Sequence, residues 1–99
     1  MAAPTHATIA TFRMDLSQES AQREGLSRMI VPSVTSAPGF VAGTWTLNRE
    51  QRESVVMITF DSADAAKAFV ENVTANANHQ AMVGIDLLEI QVVEVSASA

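Results

Sequence analysis

The chain has 99 residues, a net charge of −5 and no cysteine. That length is enough for one domain, and the absence of cysteine excludes disulfides and thiolate metal sites. The six Lys and Arg residues form no cluster, so the sequence disfavours nucleic acid and an anionic membrane surface as partners. No run approaches 18 apolar residues, and the N-terminus lacks the pattern of a signal peptide, so we expect a cytoplasmic protein.

The first predicted element is a strand over residues 5–14, THATIATFRM, in which apolar side chains and threonines alternate between two faces. We expect a single domain over residues 1–99, with flexible tails at 1–4 and 96–99. The alternation predicts that one face of this strand packs against a core.

A helix is predicted to follow, with Asp15 or Ser17 as its N-cap. Three apolar residues spaced four apart, the last of them Val34, place one helical face inward. Pro32 lacks a backbone N–H and crowds the carbonyl four residues before it. We therefore expect a kink or a new start at Pro32 and an end before Pro38-Gly39.

Two strands are predicted next, over residues 40–47 and 54–60, joined by a polar hairpin. The segment at 54–60, SVVMITF, is apolar at nearly every position, so we expect both of its faces to be covered. A second helix begins at Asp61 or Ser62, and residues 86–95 alternate as a fourth strand.

The order β-α-β-β-α-β with right-handed crossovers predicts an α+β ferredoxin-like fold, in which a four-stranded antiparallel sheet carries both helices on one face. The helices leave the other face of the third strand without a cover. We therefore predict a homodimer in which the sheets of two copies pack face to face.

A family resemblance rests on two stretches, VPSVTSAPGFVAGTW at 31–45 and SVVMITFDSADAAKAFV at 54–70. From Thr8 to Val95 the chain resembles the antibiotic-biosynthesis-monooxygenase-like (ABM) group of the dimeric α/β-barrel superfamily, small actinobacterial members in particular. The resemblance implies that two four-stranded sheets pack as a dimeric α/β barrel.

Relatives in this group include cofactor-free monooxygenases of polyketide quinols and enzymes that degrade haem. The resemblance implies a cofactor-independent monooxygenase-like protein that acts on a small aromatic or quinol-type substrate. Two alternatives stay open: a non-catalytic dimeric module for small-molecule binding or assembly, and a haem-binding or haem-degrading protein. Fold alone does not select among them or establish that the chain is an enzyme.

His79 is the candidate catalytic residue, as a base or a polar anchor. The haem-degrading relatives carry a Trp on the second helix and an iron-binding His ten residues later, and Phe69 and His79 have that spacing. Phe69 replaces the Trp, and residues 5–14 lack the Asn that those relatives use in the first strand. The alternative interpretation of His79 is a polar loop residue in contact with solvent.

Trp45, Phe69 and Arg13 are the candidate substrate-binding residues. Trp45 is interpreted either as an aromatic wall for a flat ligand or as core or dimer packing, depending on the sheet face that it occupies. Arg13 either holds an anionic group or is a solvated strand end. The two histidines lack metal-ligand spacing, so we expect no metal and no cofactor.

Overall fold

The computed structural model describes residues 3–99 and contains a four-stranded antiparallel sheet in the order β2-β3-β1-β4. This order confirms the predicted ferredoxin-like topology. Residues 1 and 2 of the predicted N-terminal tail lie outside the described residues, and residues 96–99 form no helix or strand. The strands are β1 (His6–Met14), β2 (Phe40–Trp45), β3 (Glu53–Phe60) and β4 (Ile85–Glu94).

The helical region between β1 and β2 continues through Pro32. A 3-10 turn (Leu16–Gln18) capped by Asp15 leads into α1 (Glu19–Gly25), and a π turn joins α1 to α2 (Val31–Thr35). In the π turn the Val31 N–H donates to the carbonyl of Leu26, five residues back. The wider turn accommodates the proline directly after it, so the expected interruption takes the form of a π turn before Pro32.

The region between β3 and β4 contains α3 (Ala63–Ala75) and a short α4 (Ala77–Ala81). Of the two predicted N-caps it is Ser62 that caps α3, because its Oγ accepts the Ala65 N–H at 3.1 Å. Asn76 separates the two helices. The predicted order has a single helix between the third and fourth strands, so α4 is an addition to it.

One core lies between the helices and the sheet. The buried β3 residues Val56, Ile58 and Phe60 point into it, together with residues of β1, α2 and α3. Val55 and Met57, which alternate with them, are 43% and 45% exposed on the opposite face. A single chain therefore covers one face of β3, whereas the sequence predicted cover on both. We call the uncovered side the outer face of the sheet.

The turn between α2 and β2 is held against the start of α3. Gly39 has a φ of +79°, and its carbonyl accepts the Asp61 N–H at 2.9 Å. A Cβ at Gly39 would lie 2.6 Å from Asp61 Oδ1 and 2.8 Å from the Cβ of Ala65. Glycine is therefore required at this position both by the backbone conformation and by the close approach of α3.

Replacement of Gly39 by alanine is expected to lower the free energy of unfolding by about 2 kcal/mol or more, because the left-handed backbone alone costs about 1–2 kcal/mol. The matched control is Gly25→Ala, where a Cβ meets nothing within 4 Å. That change should stabilise the helix by about 0.5–1 kcal/mol. Urea unfolding of both variants measures the difference, and equal stabilities would contradict this account of the turn.

Within residues 3–99, none of the helices combines the length and the apolar character that crossing a bilayer requires.

Candidate functional site

An apolar groove of about 160 Å³ runs between the turn after α2 and the outward side of α3. We call it the α3 groove. Small side chains form most of its wall, and Phe69 is the largest residue in it. Its lining residues are Ala37, Pro38, Ala65, Ala68, Phe69 and Asn72.

The α3 part of the wall is a single helical stripe. Ala65, Ala68, Phe69 and Asn72 are spaced i, i+3, i+4 and i+7, so they share one side of the helix. The Phe69 ring packs against Phe60 at a centroid distance of 5.5 Å and an interplanar angle of 45°. This contact anchors the aromatic wall of the groove to the core.

Asn72 is the polar group of the α3 groove, and the sequence analysis did not select it. Its Oδ1 accepts a hydrogen bond from Asn76 Nδ2 at 3.0 Å, which orients the amide. Among residues 3–99, no acceptor is found for the amide N–H groups of Asn72. Its position three residues after Phe69 was the signal in the sequence that could have pointed to it.

Trp45 lies at the end of β2, on the helix-covered face. It pairs with Val56 in β3 and packs against the core cluster. Its ring folds back over Gly43, where a Cβ would lie 3.1 Å from the indole carbons. The structure therefore places Trp45 away from the outer face, and it does not line the α3 groove.

His79 lies on α4, where its side chain is exposed. Within residues 3–99, no hydrogen bond to its ring is found and it borders neither described cavity. The helix after Asn76 thus replaces the loop that the sequence predicted around this residue.

A second, larger cleft of about 830 Å³ opens where β1 ends, beside the β2–β3 hairpin and the start of β4. We call it the basic cleft, because three arginines line it. Its walls contain Arg13, Met14, Asp15, Leu16, Ser17, Arg49, Gln51, Arg52 and Asp86. The candidate residue Arg13 is therefore at this cleft and Phe69 is at the α3 groove, and neither cavity unites the four candidates.

One arginine of the basic cleft is bound by a carboxylate from α1. Arg49 donates two hydrogen bonds to Glu19, at 2.9 and 2.7 Å, and Arg23 donates a third at 2.9 Å. The hydrogen bond from Arg49 is the main cause that lowers the pKa of Glu19 from 4.5 to about 2, and the charges of both arginines add to it. The hairpin is thereby tied to the first helix.

Glu19 should make the stability of the protein depend on pH. Its pKa is lower in the folded chain, so its stabilising effect is present above about pH 4.5 and is lost as the pH falls toward 2. We expect Glu19→Gln to flatten the decrease in unfolding free energy across this window, measured by urea unfolding at several pH values. Glu24→Gln, which removes only the exposed pair with Arg28, should keep the wild-type slope. A wild-type slope in Glu19→Gln would contradict the prediction.

Among residues 3–99, no three His, Asp or Glu side chains lie together in a way that could hold a metal ion.

No protein-family model and no curated protein matches the sequence. Solved structures do match. A Deinococcus radiodurans protein assigned as an antibiotic biosynthesis monooxygenase superposes with a TM-score of 0.74 at 13% identity, over 95% of both chains. The haem degrader MhuD from Mycobacterium tuberculosis, with two haems bound in its active site, gives 0.71 at 15% identity, over 95% of this chain and 98% of that one.

A monooxygenase from the gene ActVA-Orf6 of Streptomyces coelicolor, in complex with nanaomycin D, gives a TM-score of 0.62 at 14% identity, over 97% of this chain and 89% of that one. The match to MupZ from Pseudomonas fluorescens covers 66% of that longer chain. Because these sequence identities are low, the similarity establishes a shared fold and not a shared activity. The chain has the ferredoxin-like α+β fold of ABM domain proteins, as the sequence resemblance implied.

Proposed function

We propose that this protein is an ABM-type monooxygenase of the small actinobacterial type, which oxidises a small aromatic or quinol-type substrate without a cofactor. The observation that carries the proposal is an apolar groove with an aromatic wall and one oriented amide, on a fold that monooxygenases share. Of the structures compared, one is a monooxygenase in complex with the ligand nanaomycin D.

The chemistry needs no external reductant when the substrate is a phenol with an activated CH₂ carbon. Once deprotonated, the substrate passes electrons to O₂. One oxygen atom forms the new C=O bond at that carbon, and the other leaves as water with the two hydrogens that the carbon loses. The four electrons that reduce O₂ come from the substrate. The task of the protein is therefore to bind, orient and keep water away.

The residues of the α3 groove fit the tasks of binding and orienting the substrate. Phe69 offers a flat apolar surface to an aromatic ring, and the free N–H groups of Asn72 can donate to a phenolate or quinone oxygen. We assign His79 as the base or anchor, which requires a substrate that extends from the groove toward α4. Trp45 packs against the core and does not line the groove, so we assign it a supporting role from the helix-covered side of the sheet. Arg13 lies at the basic cleft, so its proposed role of holding an anionic group belongs to that cleft.

A homodimer and a cytoplasmic location are part of the proposal. The outer face supports the homodimer, because Val55 and Met57 are nearly half exposed there although β3 is the most continuously apolar strand. Two such faces packed together as a dimeric α/β barrel would cover them. The solved structures that match include a dimeric ferredoxin-like protein.

The proposed activity is tested by following oxygen uptake with an anthrone, which has the activated CH₂ carbon, and with hydroquinones, whose two-electron oxidation to the quinone reduces O₂ to hydrogen peroxide. Ala68→Leu places a larger side chain in the α3 groove and should reduce uptake by about tenfold or more, which corresponds to about 1.4 kcal/mol of lost transition-state stabilisation. Glu71→Leu is the matched control, because Glu71 is exposed on the same helix and outside the groove. No uptake by the wild type, or equal rates in Ala68→Leu, would contradict the oxygenase proposal.

His79→Ala examines the proposed base separately. Unchanged turnover in this variant would remove His79 from the mechanism and leave the groove as the site.

Haem binding is the second candidate function, supported by the exposed ring of His79 and by the fold shared with MhuD. A haem titration should shift the Soret band if His79 ligates the iron, and His79→Ala should abolish the shift. An unchanged Soret band in the wild type would rule out this candidate, and failure of both assays would favour the non-catalytic binding module.

A further inference from the structure

We propose that the basic cleft is a second ligand site, which binds a small molecule that carries a carboxylate or phosphate group. Arg13 and Arg52 hold the oxyanion. This site shares no lining residue with the α3 groove, and the inference is independent of the proposed oxygenase activity.

The first argument is the concentration of positive charge. Three of the six Lys and Arg residues of an acidic chain line this one cleft. Its volume of about 830 Å³ lies within the roughly 300–1,000 Å³ of small-molecule sites. Guanidinium groups match carboxylate and phosphate oxygens in a bidentate manner, so the cleft has the donors that an oxyanion requires.

The second argument is that two of these guanidinium groups remain available. In the strand register Arg13 stands opposite Glu53 in β3 and Asp86 in β4. Among residues 3–99, however, neither Arg13 nor Arg52 forms an ion pair within 4 Å. Arg49 is the arginine of the cleft that a carboxylate occupies, since Glu19 accepts both of its donors.

Among residues 3–99, neither carboxylate in the cleft wall is found within 4 Å of Arg13 or Arg52 as an ion pair. Hydrogen bonds from Ser17 are the main cause that lowers the pKa of Asp15, and the charge of Arg52 contributes a little to it. Asp15 Oδ1 accepts the N–H of Ser17 at 3.1 Å and its hydroxyl at 2.7 Å, so this carboxylate serves as a cap. Asp86 is exposed and can accept a hydrogen bond from the ligand. The arrangement therefore suits an oxyanion that also carries a hydroxyl group, such as a hydroxycarboxylate or a phosphorylated alcohol.

The third argument is the backbone conformation of Arg52, which glycine adopts more readily than other residues. Arg52 has a φ of +55°, and it is the non-glycine residue with positive φ among residues 3–99. Its carbonyl accepts the Met14 N–H at 2.8 Å, which fixes the hairpin beside the end of β1. The chain thus tolerates strain at a residue that places a second unpaired guanidinium group in the same cleft as Arg13.

The test is a titration of the full ¹⁵N-labelled chain with citrate and, separately, with inorganic phosphate, followed by ¹H–¹⁵N spectra. We expect saturable shifts at the amides of residues 13–17 and 49–52, and none with glycerol as the neutral comparator. Arg13→Gln and Arg52→Gln should each weaken binding by about tenfold or more. Arg28→Gln is the matched control, since Arg28 is an exposed arginine outside the cleft.

Arg52→Gly separates binding from folding. It removes the guanidinium group and relieves the positive φ, so it should weaken binding as much as Arg52→Gln does while raising the melting temperature. Saturation by citrate alone supports a carboxylate ligand, and saturation by phosphate alone supports a phosphoryl ligand. The proposal is overturned if neither probe gives a saturable shift up to about 10 mM, because a site of millimolar affinity would be largely filled at that concentration. It is also overturned if Arg28→Gln weakens binding as much as the cleft variants do.

Discussion

Replacement of Phe60 by alanine is expected to lower the free energy of unfolding by about 3–5 kcal/mol. Phe60 is the largest fully buried side chain, with no exposed surface, and it ends the central strand β3. A domain of this size has a total stability of about 5–15 kcal/mol, so the loss removes a large share of it. The cavity would also lie under Phe69, whose ring rests on Phe60, so the wall of the α3 groove should loosen as well.

Urea unfolding followed by circular dichroism measures this loss. The control is Met82→Ala, because Met82 is 78% exposed and its truncation should change stability by no more than about 0.5 kcal/mol. The free energy of unfolding of Phe60→Leu should fall between those of the other two variants, since leucine keeps most of the buried volume. If Phe60→Ala and Met82→Ala are equally stable, the core described around β3 is wrong.

Replacement of Met57 by lysine is expected to convert the proposed homodimer into a monomer. Met57 stands at the centre of the outer face, between Ile9 of β1 and Thr44 of β2 in the strand register. In a dimer that buries this face, an unpaired lysine costs about 3–5 kcal/mol. That penalty should raise the dissociation constant of the dimer about 100-fold or more.

Size-exclusion chromatography with light scattering reports the mass of each variant. Met29→Lys is the matched control, because Met29 is 71% exposed in the helical layer and away from the outer face. It should retain the wild-type mass. A monomeric wild-type protein, or a dimer that persists in Met57→Lys, would contradict the homodimer proposal, and circular dichroism confirms that the variants remain folded.

Local patterns in the sequence were sufficient for most of the fold. The nearly continuous apolar run at 54–60 correctly predicted a strand, and the polar cap at Ser62 correctly predicted where α3 begins. These signals depend on neighbours in the chain, which is why periodicity and capping reveal them. The Pro38-Gly39 pair likewise marked the turn before β2, where Gly39 adopts a positive φ.

The face that Trp45 occupies required the tertiary structure. The register of β2 shifts between Phe40 and Ala42, so Phe40 and Trp45 both pack against the core although they are five positions apart in the strand. Strict alternation would place them on opposite faces. A bulge of this kind depends on how β2 pairs with β3, and the composition of β2 alone does not reveal it.

The sequence by itself determined the order of the four strands and the two main helical regions and the resemblance to ABM proteins, because these depend on residues close together in the chain. Only the tertiary structure decided which side chains share a cavity. Arg13 and Arg52 are far apart in sequence and line the same cleft because β1 pairs with β3. Asn72 is a candidate because the turn at Pro38 lies beside α3 and forms the groove with it. Both sites arise from pairing and packing between distant segments, which no local pattern encodes.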